Sequence, residues 1–428
     1  MANGKQHTNW REPDKMLRCA QHDSAKVARP PRAPYFCGLI RAALPLLPPV
    51  PTSPFFWLLL ACVLVQLFYA AYFFWPFARR ASEAPASAPG PDTDTQPVSV
   101  VVCARNELDN LRRLLPLLLQ QDYPAGFEIV LIDDRSHDDT YLYAQQLAQY
   151  YPDKIRLVTV TSTPDSFAPK KYALTLGIKA TRHARLLFTD ADCIPATNQW
   201  LRLLQRGFSQ GSGAEVVLGF SAYVEAPGFL NQLIRFETLL TAAQYLSFAW
   251  RGWAYMGVGR NLAYTRACFT ATKGFASHIR QLSGDDDLLV QDAVRQRQRV
   301  AVVADASAHT LSEPAATWRA WWRQKRRHLS AGRAYRLADR LRVGTFVAAN
   351  MLFYLATIVL LFSPNNWVPL AVVCTFRTLI VSAVYFRLSR RLLQPVTVGL
   401  LPVLDVVYFF QYLALGISLF LNRTLRWK

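Results

Sequence analysis

The chain is short of acid and short of every motif that would name a chemistry at once. Against 48 Lys+Arg it carries 29 Asp+Glu, for a formal net charge of +19, and charged residues make up only 18% of its 428 positions. It contains neither a His-Glu-x-x-His run nor a Gly-Lys-Ser/Thr loop, which excludes the helix-borne zinc site and the phosphate loop that those motifs mark. Gly257-Val-Gly259 has no third glycine, because position 262 is Leu, and no strand-then-helix context supports a dinucleotide site there. The seven cysteines, Cys19, Cys37, Cys62, Cys103, Cys193, Cys268 and Cys374, stand far apart. No pair has zinc-ligand or redox spacing and two lie in apolar runs, so they read as free thiols in a reducing compartment.

What is abundant is apolar surface. Hydrophobic residues reach 52%, more than an ordinary soluble chain carries, and the excess gathers near residue 60 and beyond residue 345. Basic residues crowd beside those stretches, so the positive charge points to membrane lipid and not to nucleic acid. Residues 1–53 are basic, proline-rich and aperiodic, and are expected to form a disordered tail. Residues 54–76 hold no charge and carry aromatics at both ends, the pattern of a transmembrane helix with interfacial belts. Further spans are expected at 345–362, 367–386 and 396–421, within 343–422, ahead of a basic tail at 423–428. The second of these contains Arg377 and the third Asp405. A lone charge in a span is costly, so these two are expected to pair between helices. Residues 313–342, with Trp318, Trp321 and Trp322 among arginines, fit an amphipathic helix lying in the interface plane.

After a linker at 77–96, residues 97–312 alternate between short apolar runs and helical patterns. Strands are predicted over Val98–Cys103, Phe127–Ile132, Ile155–Val160 and Leu186–Phe188. Helices are predicted over Leu108–Gln121, Asp138–Tyr150 and Lys170–Arg182. This is the α/β pattern of a doubly wound, mainly parallel sheet. Further on come a strand over Val216–Val224, an aromatic-rich helix over Phe229–Trp250 on or near the membrane, a helix carrying Arg295, Arg297 and Arg299, and a strand over Val300–Ala304. Asp134, Asp190 and Asp192 then share the sheet's carboxyl edge, where ligands bind in such folds. Residues i and i+2 of an extended segment point the same way. Asp190 and Asp192 can therefore share a hard divalent cation such as Mg²⁺ through oxygen ligands.

The order of the pieces, strand-Cys103-Ala-Arg-Asn-Glu107, Ile-Asp-Asp-Arg-Ser136, Lys170, Thr-Asp-Ala-Asp192, Gly-Asp-Asp-Asp-Leu288 and Gln324-Lys-Arg-Arg327, resembles the membrane-bound family 2 glycosyltransferases. The resemblance implies an inverting enzyme with a Rossmann-like GT-A domain beside transmembrane helices, of the kind that builds cell-envelope polysaccharide. It implies that Cys103, Arg105 and Glu107 line the nucleotide base and that Asp134 accepts from it. By the same resemblance Lys170 neutralises the diphosphate, Asp190 contacts the ribose, and Asp190 and Asp192 hold Mg²⁺ or Mn²⁺. Asp286 becomes the base that deprotonates the acceptor, and Gln324 and Arg327 lie near diphosphate and acceptor. His328 stands where polymer-forming members carry Trp, which removes a sugar-stacking platform. A single transfer from a UDP- or GDP-sugar to a lipid-linked or glycan acceptor is thus expected; the alternatives are a processive polysaccharide synthase and a non-enzymatic membrane scaffold. The catalytic domain of this integral membrane protein should face the cytoplasm, in the cell or inner membrane. Basic residues flanking that domain agree with this; one span before it and three after it leave both basic termini outside, so either the rule is broken at both ends or 396–421 is re-entrant or interfacial and only two spans follow.

Overall fold

The computed structural model describes residues 53–80, 96–210 and 213–421. The expected N-terminal tail before residue 53, most of the linker, and the C-terminal basic tail lie outside the described residues.

The first helix, α1 (Pro54–Arg79), widens into a π-helical turn at Ala70–Phe74. Pro76 gives the physical reason: it has no N–H for the Tyr72 carbonyl and its ring pushes that carbonyl aside. Arg251 Nε donates to the displaced oxygen at 3.2 Å, and its guanidinium sits 4.6 Å from the Tyr72 ring centre.

The expected alternation follows: β1 (Val98–Ala104), α2 (Leu108–Leu119), β2 (Phe127–Asp134), α3 (Thr140–Tyr150), β3 (Ile155–Val160), α4 (Pro169–Ala180) and β4 (Arg185–Asp190). After it come β5 (Cys193–Pro195), α5 (Trp200–Arg206), β6 (Val216–Leu218), β7 (Ser221–Tyr223), α6 (Phe229–Trp250), β8 (Leu262–Thr265), α7 (Arg266–Ala271), α8 (Asp287–Arg295), β9 (Val300–Val302) and β10 (Thr310–Ser312). The chain ends in α9 (Trp318–Ala331), α10 (Leu337–Leu361), α11 (Trp367–Arg391) and α12 (Leu401–Leu421). Among the described residues, seven strands form one sheet in the order β3-β2-β1-β4-β8-β6-β9 and three form a second, β5-β10-β7. Strands β1 to β4 run parallel, whereas β8 is antiparallel to both its neighbours. Cys103 stands level with Ile132 on one side and Asp190 on the other, so β1, β2 and β4 end at one edge.

Two expectations need correction. The single strand over 216–224 is two strands in different sheets, broken at Gly219-Phe220. Buried Asn261 makes the break: its backbone carbonyl takes the Gly219 N–H at 2.9 Å, and its Nδ2 donates to the Phe220 and Ala308 carbonyls. A Cβ on Gly219 would lie 2.5 Å from that side chain. The helix expected to carry Arg297 and Arg299 stops at Arg295, because Arg297 turns left-handed at φ 58. Its N–H bonds to Val294 O while the Gln298 N–H reaches back to Ala293 O, the paired bonds of a Schellman stop.

One face of the large sheet packs Val98, Val100 and Val102 against α2 and Trp200. The core on the other face, starting from Val101, Ile132 and Phe188, runs without interruption through α6 into Phe73, Tyr385 and Phe409 of the apolar helices. Helix α6, expected on or near the membrane, is therefore mostly buried between the sheet and those helices; Phe248 meets Phe73 at 4.3 Å between ring centres.

Four helices among the described residues are long and apolar enough to cross a membrane: α1, α10, α11 with its leading turn, and α12 with its leading turn. The anticipated pair forms, Arg377 donating to Asp405. Arg377 also donates to Gln66 and to Asn350, both at 2.7 Å, and Tyr385 donates to the other Asp405 oxygen at 3.2 Å. An arginine cannot shed its charge, so burial is tolerable only with its donors engaged in this way. The result is a polar knot joining α1, α10, α11 and α12.

Candidate active site

The site gathers where β4 and α8 meet. Strand β4 ends at Asp190 and the chain turns through buried Ala191 to Asp192. Lys170 is the second residue of α4, the end of a helix least favourable to a cation. Two carboxylates compensate: Lys170 Nζ lies 3.0 Å from Asp190 and 3.2 Å from Asp285.

The three aspartates ahead of α8 have three different fates. Asp285 turns to Lys170. Asp286 caps the helix, accepting from the Asp287 N–H at 2.8 Å and from the Gly259 N–H at 2.8 Å. Glycine suits position 259 because a Cβ there would stand 3.3 Å from the Asp286 carboxylate. Asp287 points inward and accepts from the Tyr335 hydroxyl.

Their proton affinities diverge accordingly. Burial pushes Asp285 up, but the Lys170 ammonium overrides it and holds the carboxyl below the usual range. Burial, reinforced by the charge of Asp285, lifts Asp286 to about 6. Burial and then Asp286 raise Asp287 well beyond the ordinary carboxylate range. Neighbouring carboxyls driven apart in this way are the usual mark of a divided acid–base task. Asp192 is also raised, by burial and then by Asp190. Cys103 is pushed up to about 12 by burial, so it stands as a neutral thiol.

A cavity of about 570 Å³ opens over this cluster, and Lys170, Asp190, Asp192, Asp286, Gln324 and Arg327 all line it. That size falls in the range of about 300–1,000 Å³ typical of ligand sites. Cys103 lines an adjoining recess with Lys170, Asp190 and Asp286. Asp134 is buried at the end of β2 and accepts from Arg135 Nε at 2.8 Å, without reaching the cavity. Arg105 and Glu107 do not line it either. Glu107 accepts from Asn110 at 2.6 Å within the start of α2, and its N–H donates to Thr140 at 2.9 Å, which ties α2 to α3.

Two cavity residues escaped the sequence reading. Arg260 donates to Ser312 Oγ at 3.0 Å, and its guanidinium lies 4.5 Å from the Tyr223 ring centre. It sits in the stretch set aside for want of a third glycine; the signal lay in the Gly-Arg-Asn turn leading straight into a strand. Glu237 is fully buried in α6, where Lys325 meets it at 2.9 Å, Trp321 donates to it at 3.3 Å and Tyr412 at 3.0 Å. A single acid midway along an apolar helix was its signal, since such a charge must find partners.

Among the described residues no group of three or more His, Cys, Asp or Glu is arranged to hold a metal. Asp190 and Asp192 offer two hard oxygen donors, a set suited to a hard dication that keeps waters and substrate phosphates as its other ligands.

The family described as "Glycosyltransferase like family 2" matches residues 95–331, more than half of the chain. The chain belongs to that family. The chain is 34% identical over 131 residues to glycosyltransferase AglE of Haloferax volcanii, covering 30% of this chain and 40% of that protein. It is 26% identical over 237 residues to the probable glycosyltransferase YdaM of Bacillus subtilis, 54% of each. The chain thus spans about half the length, or less, of these curated relatives. The structure of the mannosyltransferase PcManGT from Pyrobaculum calidifontis, solved with GDP-Man and Mn²⁺, superposes with a TM-score of 0.53 at 18% identity, over 79% of this chain and 97% of that one. The catalytic fold of this family 2 member is therefore GT-A, a mixed α/β fold on a mainly parallel sheet.

Proposed function

We propose that this family 2 chain is a membrane-anchored inverting glycosyltransferase that moves a sugar from a UDP- or GDP-sugar to a lipid-linked or glycan acceptor at the cytoplasmic face. One observation carries the reading: adjacent Asp285 and Asp286, one held low by Lys170 and the other raised to about 6, beside a cavity that Asp190 and Asp192 also line. A base for a hydroxyl must be ionised near neutral pH and still hold a proton well, which suits Asp286. Asp286 takes the acceptor's proton as the acceptor oxygen attacks the anomeric carbon. The bond from that carbon to the diphosphate oxygen breaks, its electron pair leaving with the nucleotide. Attack opposite the departing group inverts the centre.

Lys170, Arg260 and Arg327 are the cations available to the charge growing on the leaving group. Mg²⁺ or Mn²⁺ between Asp190 and Asp192 would supply Lewis-acid neutralisation of the same charge. Cys103, which lines the adjoining recess, is assigned to the nucleotide, and Gln324 with Arg327 to diphosphate and acceptor; Arg105, Glu107 and Asp134 lie outside the cavity, and their assignment to the nucleotide rests on the family resemblance alone. His328 lines the cavity beside Lys325 and Arg327, whose charges disfavour its protonation. The four apolar helices support the membrane anchor.

The test is nucleotide release from a panel of UDP- and GDP-sugars by the purified full chain with Mg²⁺ or Mn²⁺, repeated with Asp286→Asn. Full transfer by that variant would remove the assignment of the base.

A further inference from the structure

The cavity does not end at the carboxylates. From Asp286 it extends past Thr238 and Gln244 to Val343, Gly344 and Val347 of α10 and to Tyr408 and Tyr412 of α12. Both helices are long and apolar enough to cross a membrane. The rim is formed by the first turns of α10, where exposed Arg340 and Gly344 line the cavity and Leu337 and Leu341 beside them are 67% and 58% exposed. Bare leucines next to an arginine, at the start of an apolar helix, match the border between headgroups and hydrocarbon. A Cβ added at Gly344 would meet nothing within 4 Å, so this glycine leaves a gap and fills no packing role.

The inner wall shows what kind of molecule suits the gap. Lys325 is matched by Glu237 at 2.9 Å and Lys170 stands between Asp190 and Asp285, while Lys170, Arg260 and Arg327 are the cations assigned above to the departing diphosphate. At the inner end stands Asp286, a carboxyl raised to about 6. A base of that strength is needed for a neutral hydroxyl; a phosphate acceptor, already ionised at neutral pH, needs none.

Resting on the transferase reading, we infer that the acceptor is a neutral, hydroxyl-bearing membrane lipid. It enters sideways at Gly344, between α10 and α12, with its apolar body along Val343, Val347 and Tyr408 and its hydroxyl at Asp286. The acceptor O–H proton goes to Asp286, the new bond joins that oxygen to the anomeric carbon, and the nucleoside diphosphate leaves with the electron pair of the broken bond.

The experiment uses the full chain in mixed detergent–lipid micelles, with a panel of radiolabelled UDP- and GDP-sugars and Mn²⁺. Its probes are dioleoylglycerol, a polyprenyl phosphate and maltotriose. Gly344→Phe is compared with Gly399→Phe, another glycine with open space beside it but away from the cavity. Label should pass to dioleoylglycerol, and Gly344→Phe should lower that transfer about tenfold or more while nucleotide release to water is kept. Gly399→Phe should transfer like the parent. Unchanged lipid transfer by Gly344→Phe, or parental label appearing only on the polyprenyl phosphate or on maltotriose, overturns the inference. Nucleotide release to water with no labelled acceptor also overturns it while sparing the transferase reading; no release from any donor removes both.

Discussion

Asp405 and Asp286 are both aspartates withdrawn from water, yet they sit in opposite surroundings. Asp405, among the apolar helices, faces a cation and two phenols, Tyr354 and Tyr385, and its cation is in turn engaged by Gln66 and Asn350. Asp286, at the sheet edge, has two backbone N–H groups, a like-charged neighbour and an open cavity. In the first region the groups around Asp405 are spent on holding helices together. In the second, one charge stays in excess and faces space a ligand can fill. A buried acid by itself therefore says little, and its immediate neighbours decide between scaffold and chemistry.

The sharpest way to break the contrast is Asp286→Asn. Transfer should fall about 10²–10⁴-fold, the range for losing a general base, while donor binding measured by calorimetry persists. Next comes Arg377→Leu, which strands a buried carboxylate and should cost about 3–5 kcal/mol of stability. Adding Asp405→Leu should recover most of that loss, and a thermal double-mutant cycle without coupling would dissolve the knot described here. A milder effect is expected of Asp192→Ala: weaker Mn²⁺-dependent donor binding in the same calorimeter, with the melting temperature held.

The smallest change is in pH. A carboxyl raised to about 6 is active when ionised, so kcat/KM should lie on a plateau above that value and fall about tenfold per unit below it. The sign for stability is the reverse. A raised carboxyl favours the fold while protonated, and that contribution is lost as pH rises through about 6. Asp286→Asn should therefore gain melting temperature relative to the parent at pH 7.5, gain less at pH 5, and show little gain below the ordinary carboxylate value near 3.8.

Much of this was legible in the sequence because it rests on period and spacing. The strands of β1 to β4, the Asp190/Asp192 pair at a strand end, and the Arg377–Asp405 pair follow from local pattern plus the cost of an unpaired charge, whereas Lys170 was placed with them only by the family resemblance. What stayed hidden depends on partners remote in the chain. The break at Gly219 needs Asn261, some forty residues later, to pull the strand apart. Arg297 was read as helical because nothing in its neighbours announces a left-handed residue. Arg260 and Glu237 were missed for a related reason: each is unremarkable beside its sequence neighbours and acquires meaning only from Ser312, Tyr223 or Lys325 across the fold.

The unbroken core that passes from the sheet through α6 into the apolar helices has a practical corollary. Excising residues 97–336 as a water-soluble fragment would strip α6 of its cover and bare Phe236 and Phe248 along one flank, so such a truncation should clump rather than fold. Here the apolar helices are also a wall of the enzyme's own interior, and the two halves are best handled as one body.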